Sequence, residues 1–206
     1  MYPHRIRLRG PWEMASAGQP PRRVAFPTTW PDVGLPDFVG PVTFERRFGY
    51  PGRIDVHERV WLIGEGVVGP MEIALLGETL GTVERGRFAF EVTNRLQERN
   101  VLKVALEIVA GRVGLWDDIA LEVRATAYLD QVVQDGQFIR GRVAGTCDGP
   151  LEVYALAAGR TRGYGEVRPG EPFAIALDGS VTGMRVELIH VSTVWDVVEL
   201  AETVGT

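Results

Sequence analysis

The sequence has one cysteine, one lysine and few segments with helical periodicity, and these shortages exclude several classes of protein. Cys147 has no partner for a disulfide within the chain, which is typical of a reducing compartment. The net charge of −5 gives no support for a nucleic-acid binder. No apolar run reaches about 18 residues, and the first residues lack the apolar core of a signal peptide. We therefore expect a cytoplasmic protein that binds neither nucleic acid nor membrane.

The motifs of common catalytic sites are also missing. The three histidines lie far apart in the sequence, and His57-Glu58 does not continue as a zinc-binding His-Glu-x-x-His because residue 61 is tryptophan. No Gly-x-Ser-x-Gly elbow and no glycine-rich phosphate loop opening a helix occur. His190 lies on an apolar strand face and is expected to be a packed structural residue. We therefore predict no catalytic residues and no cofactor.

Alternation of apolar and polar residues with a period of two runs through the chain. Such alternation is typical of strands that bury one face of a sheet and expose the other. The 25 glycines and 13 prolines suit the turns that many short strands require. The pattern predicts an all-β protein made of β-sandwiches. The clearest examples are the segments MEIALL, FAFEV, LKVALEI and IALEV.

Proline content and strand length divide the chain. The first 50 residues are rich in proline, which central strands exclude, so much of this segment is expected to be loop or edge strand. After residue 124 the alternation restarts with shorter strands, and about 80 residues suit a small sandwich. We predict two domains, residues 1–124 and residues 125–206. The C-terminal VVELAETV is expected to be a strand, with a short helix as the alternative.

Seven segments in the first 124 residues form a recognisable series: LRGPW, RVAFPTTW, GPVTFERRF, ERVWLIGEGV, LLGETLG, FAFEVTNRLQERNVLKVAL and GLWDDIALEV. In this order along the chain they resemble the N-terminal sugar-binding domain of glycoside hydrolase family 2, the β-galactosidase and β-glucuronidase type. This resemblance implies a galactose-binding-like jelly roll for residues 1–124 and an immunoglobulin-like sandwich for residues 125–206.

The departures from this family bear on function. Its enzymes carry their catalytic glutamates in a (β/α)₈ barrel, which needs roughly 200 residues or more, and 82 residues follow residue 124 here. No catalytic residue can therefore be carried over to this sequence. The family's first domain also lends polar residues to the substrate pocket, but the corresponding loop, Ala110–Val113, contains no Asn or Asp.

Four loop residues are the candidates for ligand binding: Trp30, Asp32, Trp116 and Asp117. Aromatic faces can stack on the C–H patches of a pyranose while carboxylates accept its hydroxyls, although each tryptophan could equally be a packed corner. Asp117 and its neighbour Asp118 point to opposite sides of a strand start, so they make a poor acid–base couple. A structural calcium ion held by carboxylates is a further option here.

Three functions remain open on the sequence. The leading one is a non-catalytic carbohydrate-binding protein. The alternative is a protein–protein interaction module, either a homodimer or an accessory subunit of an enzyme, without sugar binding. A small hydrolase is the third and lacks a nucleophile. The hairpin AGRTRGYGEVRPG is either merely exposed or a contact patch for an acidic partner through Arg160, Arg162 and Tyr164.

Overall fold

The computed structural model describes residues 4–34, 37–108, 118–179 and 183–201. This part of the chain contains no α-helix, and therefore none that could span a membrane, which confirms the predicted all-β sandwich class. The elements are β1 (His4–Arg7), β2 (Trp12–Ser16), β3 (Gln19–Val24), β4 (Gly40–Gly49), β5 (Glu58–Leu75), β6 (Glu78–Glu91), a 3₁₀ turn (Thr93–Arg95), β7 (Arg99–Ile108), β8 (Ile119–Ala125), β9 (Ala127–Asp135), β10 (Phe138–Gly145), β11 (Leu151–Ala157), β12 (Arg160–Val167), β13 (Pro172–Ala176), β14 (Met184–His190) and β15 (Thr193–Leu200).

The chain folds into two compact units. The first unit contains Arg5–Ile54 and Arg59–Val123. The second contains the described residues from 124 to 201 together with His4 and Asp55–Glu58. Nothing in the alternation pattern indicated that Asp55–Glu58 would leave the first half of the chain and group with the second. Each unit encloses its own apolar core.

The first unit is built on a curled sheet of eight described strands in the order β1-β8-β5-β7-β4-β2-β3, with β6 paired to β5. Strand β3 contains Pro20 and Pro21 and stands at one end of this order. A proline cannot donate a hydrogen bond to a neighbouring strand, so an edge is where it is tolerated. The prediction that the proline-rich start forms loops or edge strands therefore holds for β3.

Strand register explains how alternation becomes a core. One buried rung crosses four neighbouring strands, and its side chains are each at most 1% exposed. Burial of each such side chain contributes about 1.5–3 kcal/mol. The residues of this rung are Met14, Phe44, Val104 and Ile73. The next rung, on the opposite face of the sheet, carries charges instead, and its residues are Arg23, Glu13, Glu45 and Lys103.

Strand β8 departs from the predicted alternation. Ile119, Leu121 and Val123 are buried as expected, but Ala120 and Glu122 on the opposite face are buried as well. The strand lies between β1 and β5 in the sheet, and both of its faces are covered. The sequence IALEV therefore belongs to a strand without a solvent face, in spite of its alternating polarity.

The second unit packs a three-stranded sheet, β13-β10-β9, against a four-stranded sheet, β12-β11-β14-β15. Its core draws on both sheets, for example through Ile139 of β10, Val153 of β11 and Leu188 of β14, each fully buried. Strand β15 runs to Leu200, so the expected C-terminal strand is confirmed within the described residues.

Candidate functional site

Trp30 packs inside the first unit. Its side chain is 4% exposed, and its ring centroid lies 6.2 Å from that of Phe44. A sugar can stack on an aromatic ring only where the face of that ring is open. In this position the indole has the role of a packed corner, which the sequence allowed as the alternative, and the prediction of a ligand contact finds no support.

Asp32 is exposed and belongs to a local turn. The Thr29 hydroxyl donates a hydrogen bond to Asp32 Oδ2 over 2.6 Å, and the Asp32 backbone N–H reaches the same hydroxyl over 3.4 Å. Such reciprocal bonds are a common way in which Asp and Thr close turns. The carboxylate is thus engaged with its own loop, and a role in ligand binding stays a prediction.

Trp116 and Asp117 lie outside the described residues, so their predicted roles are not settled here. The adjacent Asp118 is described and is 19% exposed. Its Oδ2 lies 3.0 Å from Nε of Arg7, and its Oδ1 lies 3.8 Å from Nε of Arg9. This aspartate therefore ties the start of β8 to the neighbouring strand β1, which is a structural role.

Two histidines that are distant in sequence meet at one tryptophan in the second unit. The ring of His57 stacks on Trp195 at 4.7 Å and 6°, and the ring of His190 lies 5.0 Å from the same indole. Trp195 is 6% exposed, so His190 packs as expected against an apolar partner. Among the described residues no group of three or more His, Cys, Asp or Glu side chains could hold a metal ion, and the two histidines at Trp195 do not form such a group either.

A second aromatic arrangement lies on the outer face of the four-stranded sheet, and the sequence analysis missed most of it. Tyr154 on β11 and Tyr164 on β12 are register partners, with ring centroids 4.9 Å apart. Both hydroxyls donate to one carboxylate, that of Glu152, over 3.5 Å from Tyr154 and 3.1 Å from Tyr164. We call Glu152, Tyr154 and Tyr164 the tyrosine platform.

The local sequence explains why the platform faces solvent. In β11 the residues that alternate with Glu152 and Tyr154 point into the core. In β12 a glycine stands on each side of Tyr164, and a Cβ at Gly163 would lie 2.7 Å from the backbone oxygen of Ala176. The two inward positions next to Tyr164 are thus crowded, and Tyr164 projects outward with 48% of its surface exposed.

Electrostatics couple the two phenols to the shared carboxylate. The hydrogen bond to Glu152 is the main cause that raises the pKa of Tyr164, followed by burial and by the negative charges of Glu152 and Glu166. Burial is the main cause that raises the pKa of Tyr154, and the charge of Glu152 adds to it. Both phenols are therefore held in the neutral form, as hydrogen-bond donors.

The contact patch of Arg160, Arg162 and Tyr164 for an acidic partner stays a prediction. Tyr164 bonds to Glu152, and the Arg162 backbone oxygen accepts a hydrogen bond from Asp178 over 2.6 Å. A signal for the platform was present in the sequence, because the alternation of LEVYALA already places Glu152 and Tyr154 on one face. The partner strand and its register were needed to add Tyr164.

A cleft of about 790 Å³ adjoins the platform. Glu166 connects the two, because it lines the cleft and is the register partner of Glu152. The turn of residues 145–150 forms another wall, and we call the whole the acidic cleft. Its remaining lining residues are Arg168, Pro169 and Glu171.

A smaller groove of about 240 Å³ lies on the first unit, over the charged rung. Glu13 and Glu45 face each other there on neighbouring strands, with Arg23 opposite Glu13 and Arg47 within 3.1 Å of Glu45. Each carboxylate therefore has a cation beside it. Surface pairs of this kind contribute about 0–1 kcal/mol each, and the groove offers no exposed aromatic face.

Comparison with known proteins gives the fold a context. No protein-family model matches the sequence, and no curated protein matches it. Solved structures do match. A β-glucuronidase from Faecalibacterium prausnitzii is 18% identical with a TM-score of 0.71, and one from Ruminococcus gnavus is 13% identical with a TM-score of 0.68. A β-D-glucuronidase from Dictyoglomus thermophilum is 11% identical with a TM-score of 0.65.

These matches cover 96% of this chain and 43–45% of the enzymes. The chain therefore spans less than half the length of the β-glucuronidases that it resembles. At such low identity the likeness concerns the fold. The fold is shared with part of these β-glucuronidases.

Proposed function

We propose that this chain is a non-catalytic carbohydrate-binding protein and that the tyrosine platform is its binding site. The observation that carries the proposal is the pair of adjacent phenol rings on an exposed sheet face, joined by one carboxylate. Among the described residues this is an open arrangement in which aromatic faces and a hydrogen-bonding group converge. Of the described residues predicted from the sequence, Trp30 is buried in the core and Asp32 is bonded within its own turn.

The chemistry of the platform suits a sugar ring. The axial C–H groups of a pyranose can lie against the phenol faces, which carry negative π density. Ionised Glu152 has about four lone-pair positions, and the two tyrosines occupy two of them. The remaining positions can accept hydroxyl hydrogens of the sugar. Because both phenols are already bonded, the site is organised before a ligand arrives, which lowers the entropy cost of binding.

Binding without cleavage is the form of activity that this geometry favours. Hydrolysis of a glycoside needs two carboxyl groups that flank the scissile bond. Glu152 and Glu166 lie side by side on paired strands, so both would approach a bound sugar from the same side. The sheet face is open to water as well, whereas catalytic sites generally exclude it.

The test is calorimetric titration with a panel of tetrasaccharides against the wild type and single alanine variants. Tyr154→Ala and Tyr164→Ala should each weaken binding by about fivefold or more, because each removes a stacking face worth about 1 kcal/mol. The matched control is Tyr128→Ala, which removes an equally exposed tyrosine from β9. Reducing-sugar assays on the same mixtures should show no hydrolysis. Unchanged affinity in both platform variants would refute the assignment of the site.

A second candidate function, a protein–protein interaction module, is favoured by the outer face of the three-stranded sheet. Tyr128, Val133 and Phe138 project from this face with 40–53% of their surfaces exposed. Phe138 carries the Arg140 guanidinium over its ring at 5.3 Å. Sedimentation of the wild type and of Phe138→Ser separates the two functions. A dimer that the substitution dissociates would support an interface here, and a monomer in both cases would leave sugar binding as the proposal.

A further inference from the structure

The acidic cleft extends the surface of the tyrosine platform. The charge of the cleft determines which sugars the platform and the cleft can bind together, an inference that rests on the proposed function. A volume of about 790 Å³ lies within the range of about 300–1,000 Å³ that ligand pockets occupy. A ligand that stacks on the platform can therefore continue past Glu166 into the cleft. An oligosaccharide of several units fits this shape better than a single ring.

The charges along this path are mainly negative. Glu152 belongs to the platform, Glu166 stands at the junction, and Asp148 and Glu171 line the cleft. Arg168 is the cation on the cleft wall. The platform and the acidic cleft therefore carry four carboxylates and one guanidinium. The cleft is also wide enough for a ligand.

One arginine on the outer face of the same sheet is already paired with other carboxylates. Arg185 is the register partner of Leu156, two positions beyond Tyr154 and away from Glu166. Its guanidinium lies 2.6 Å from Glu187 and 3.5 Å from Glu199. One of these carboxylates, Glu187, is the register partner of Tyr154, so the ion pair lies beside the platform. Arg185 is thus engaged with carboxylates other than Glu152, Glu166, Asp148 and Glu171, which keep their negative potential.

We propose that the platform and the acidic cleft together bind an oligosaccharide of amino sugars with protonated amines. An ammonium group supplies a charge and three hydrogen-bond donors to carboxylates, while its pyranose ring keeps the C–H faces that stack on Tyr154 and Tyr164. A uronate would bring its own carboxylate against Glu152 and Glu166 and be repelled. The preferred sugar is therefore a cation, whereas the β-glucuronidases that share the fold are named for glucuronate, an anion.

The experiment compares four tetrasaccharides by calorimetry at about pH 6: the glucosamine tetramer, the N-acetylglucosamine tetramer, cellotetraose and a uronate tetramer. The glucosamine tetramer should bind about tenfold more tightly than its acetylated form, since acetylation replaces each ammonium by a neutral amide with a single N–H donor. The difference should shrink when the salt concentration rises from about 0.05 M to about 0.5 M. The uronate tetramer should bind most weakly.

Variants separate charge from stacking. Glu166→Gln and Glu171→Gln should each weaken the glucosamine tetramer by about two- to fivefold and leave cellotetraose unchanged. Glu72→Gln, an exposed glutamate of the first unit, is the matched control and should change neither. Tyr164→Ala should weaken every tetrasaccharide that binds.

The outcomes distinguish this inference from the proposed function. Equal affinity for charged and neutral tetrasaccharides would overturn the preference for amino sugars and leave carbohydrate binding in place. Failure of all four to bind would overturn both. A tetralysine peptide that binds as tightly as the glucosamine tetramer, with no loss in Tyr164→Ala, would show attraction by charge alone and would also overturn the inference.

Discussion

Replacing Trp30 by alanine tests directly whether this residue supports the fold or a ligand. The indole is 4% exposed and packs next to Phe44, whose ring centroid lies 5.2 Å from that of Phe26, in the core of the first unit. Truncation removes nearly the whole buried indole and leaves a cavity. Substitutions of this kind cost about 3–5 kcal/mol.

That loss translates into a readily measured shift. With a urea dependence of about 1–3 kcal/mol per molar, the unfolding midpoint of the first unit should fall by more than about 1 M. The indole N–H of Trp12 is a suitable reporter of this unit, because it is buried and donates to the Leu8 backbone oxygen over 2.6 Å. Its NMR signal can be followed through the titration, and Trp30→Phe, which keeps a ring in the core, should lose less.

The result that would refute this reasoning is a Trp30→Ala protein that loses less than about 1 kcal/mol of stability and also loses sugar binding. Such a protein would show that the indole is open in solution and contacts a ligand, as the sequence suggested. If the variant instead unfolds early while the platform of the second unit still binds sugar, Trp30 belongs to the core and the binding site lies elsewhere.

Three further substitutions have expected outcomes. Gly64→Ala would place its Cβ 2.3 Å from Cε1 of Phe88, so thermal unfolding should show a loss of about 1–3 kcal/mol that Phe88→Leu partly restores. Glu152→Gln should lower the pKa of Tyr164 towards its ordinary value in an ultraviolet titration of tyrosinate, because it weakens the hydrogen bond that the phenol donates and also removes the charge of Glu152. Burial raises the pKa of Asp196 in the folded state above its value in the unfolded state. The folded protein therefore loses stability as the pH rises through the folded-state pKa of this carboxyl group. The stability difference between Asp196→Asn and wild type should therefore move in favour of the variant as the pH rises from about 4 to about 7 in urea titrations, even though the Asn amide can accept only one of the two N–H groups, of Leu129 and Val197, that the carboxylate accepts.

Much of the fold could be predicted because strand alternation is a local property. LKVALEI places Leu102 and Val104 inward and Lys103 outward, and the structure agrees. Strand β8 shows the limit of such reasoning. Its residue Glu122 is polar by type and yet buried, because the neighbouring strands and the covering of both faces are decided by parts of the chain far away in sequence.

The candidate site was harder to predict for the same reason. A tryptophan in a proline-rich loop can either be exposed at the surface or pack into the core. Trp30 packs in the core against Phe44, which belongs to a strand that begins ten residues later. The platform depends on pairing between β11 and β12 with a register shift after Ala155. Without that register, Tyr164 had no assigned neighbour, and its hairpin was interpreted as either merely exposed or a contact patch with Arg160 and Arg162.

The way in which the core is specified also limits what the likeness to β-glucuronidases can imply. The buried rung of Met14, Phe44, Val104 and Ile73 requires apolar side chains of suitable combined volume, and many sequences satisfy that requirement. A fold can therefore persist at 11–18% identity. A sugar site, in contrast, depends on the identity of a few side chains, so function has to be argued from those side chains and not from the fold. For this chain they are Glu152, Tyr154 and Tyr164, and loss of binding in their variants, with Tyr128→Ala unchanged, would tie function to them.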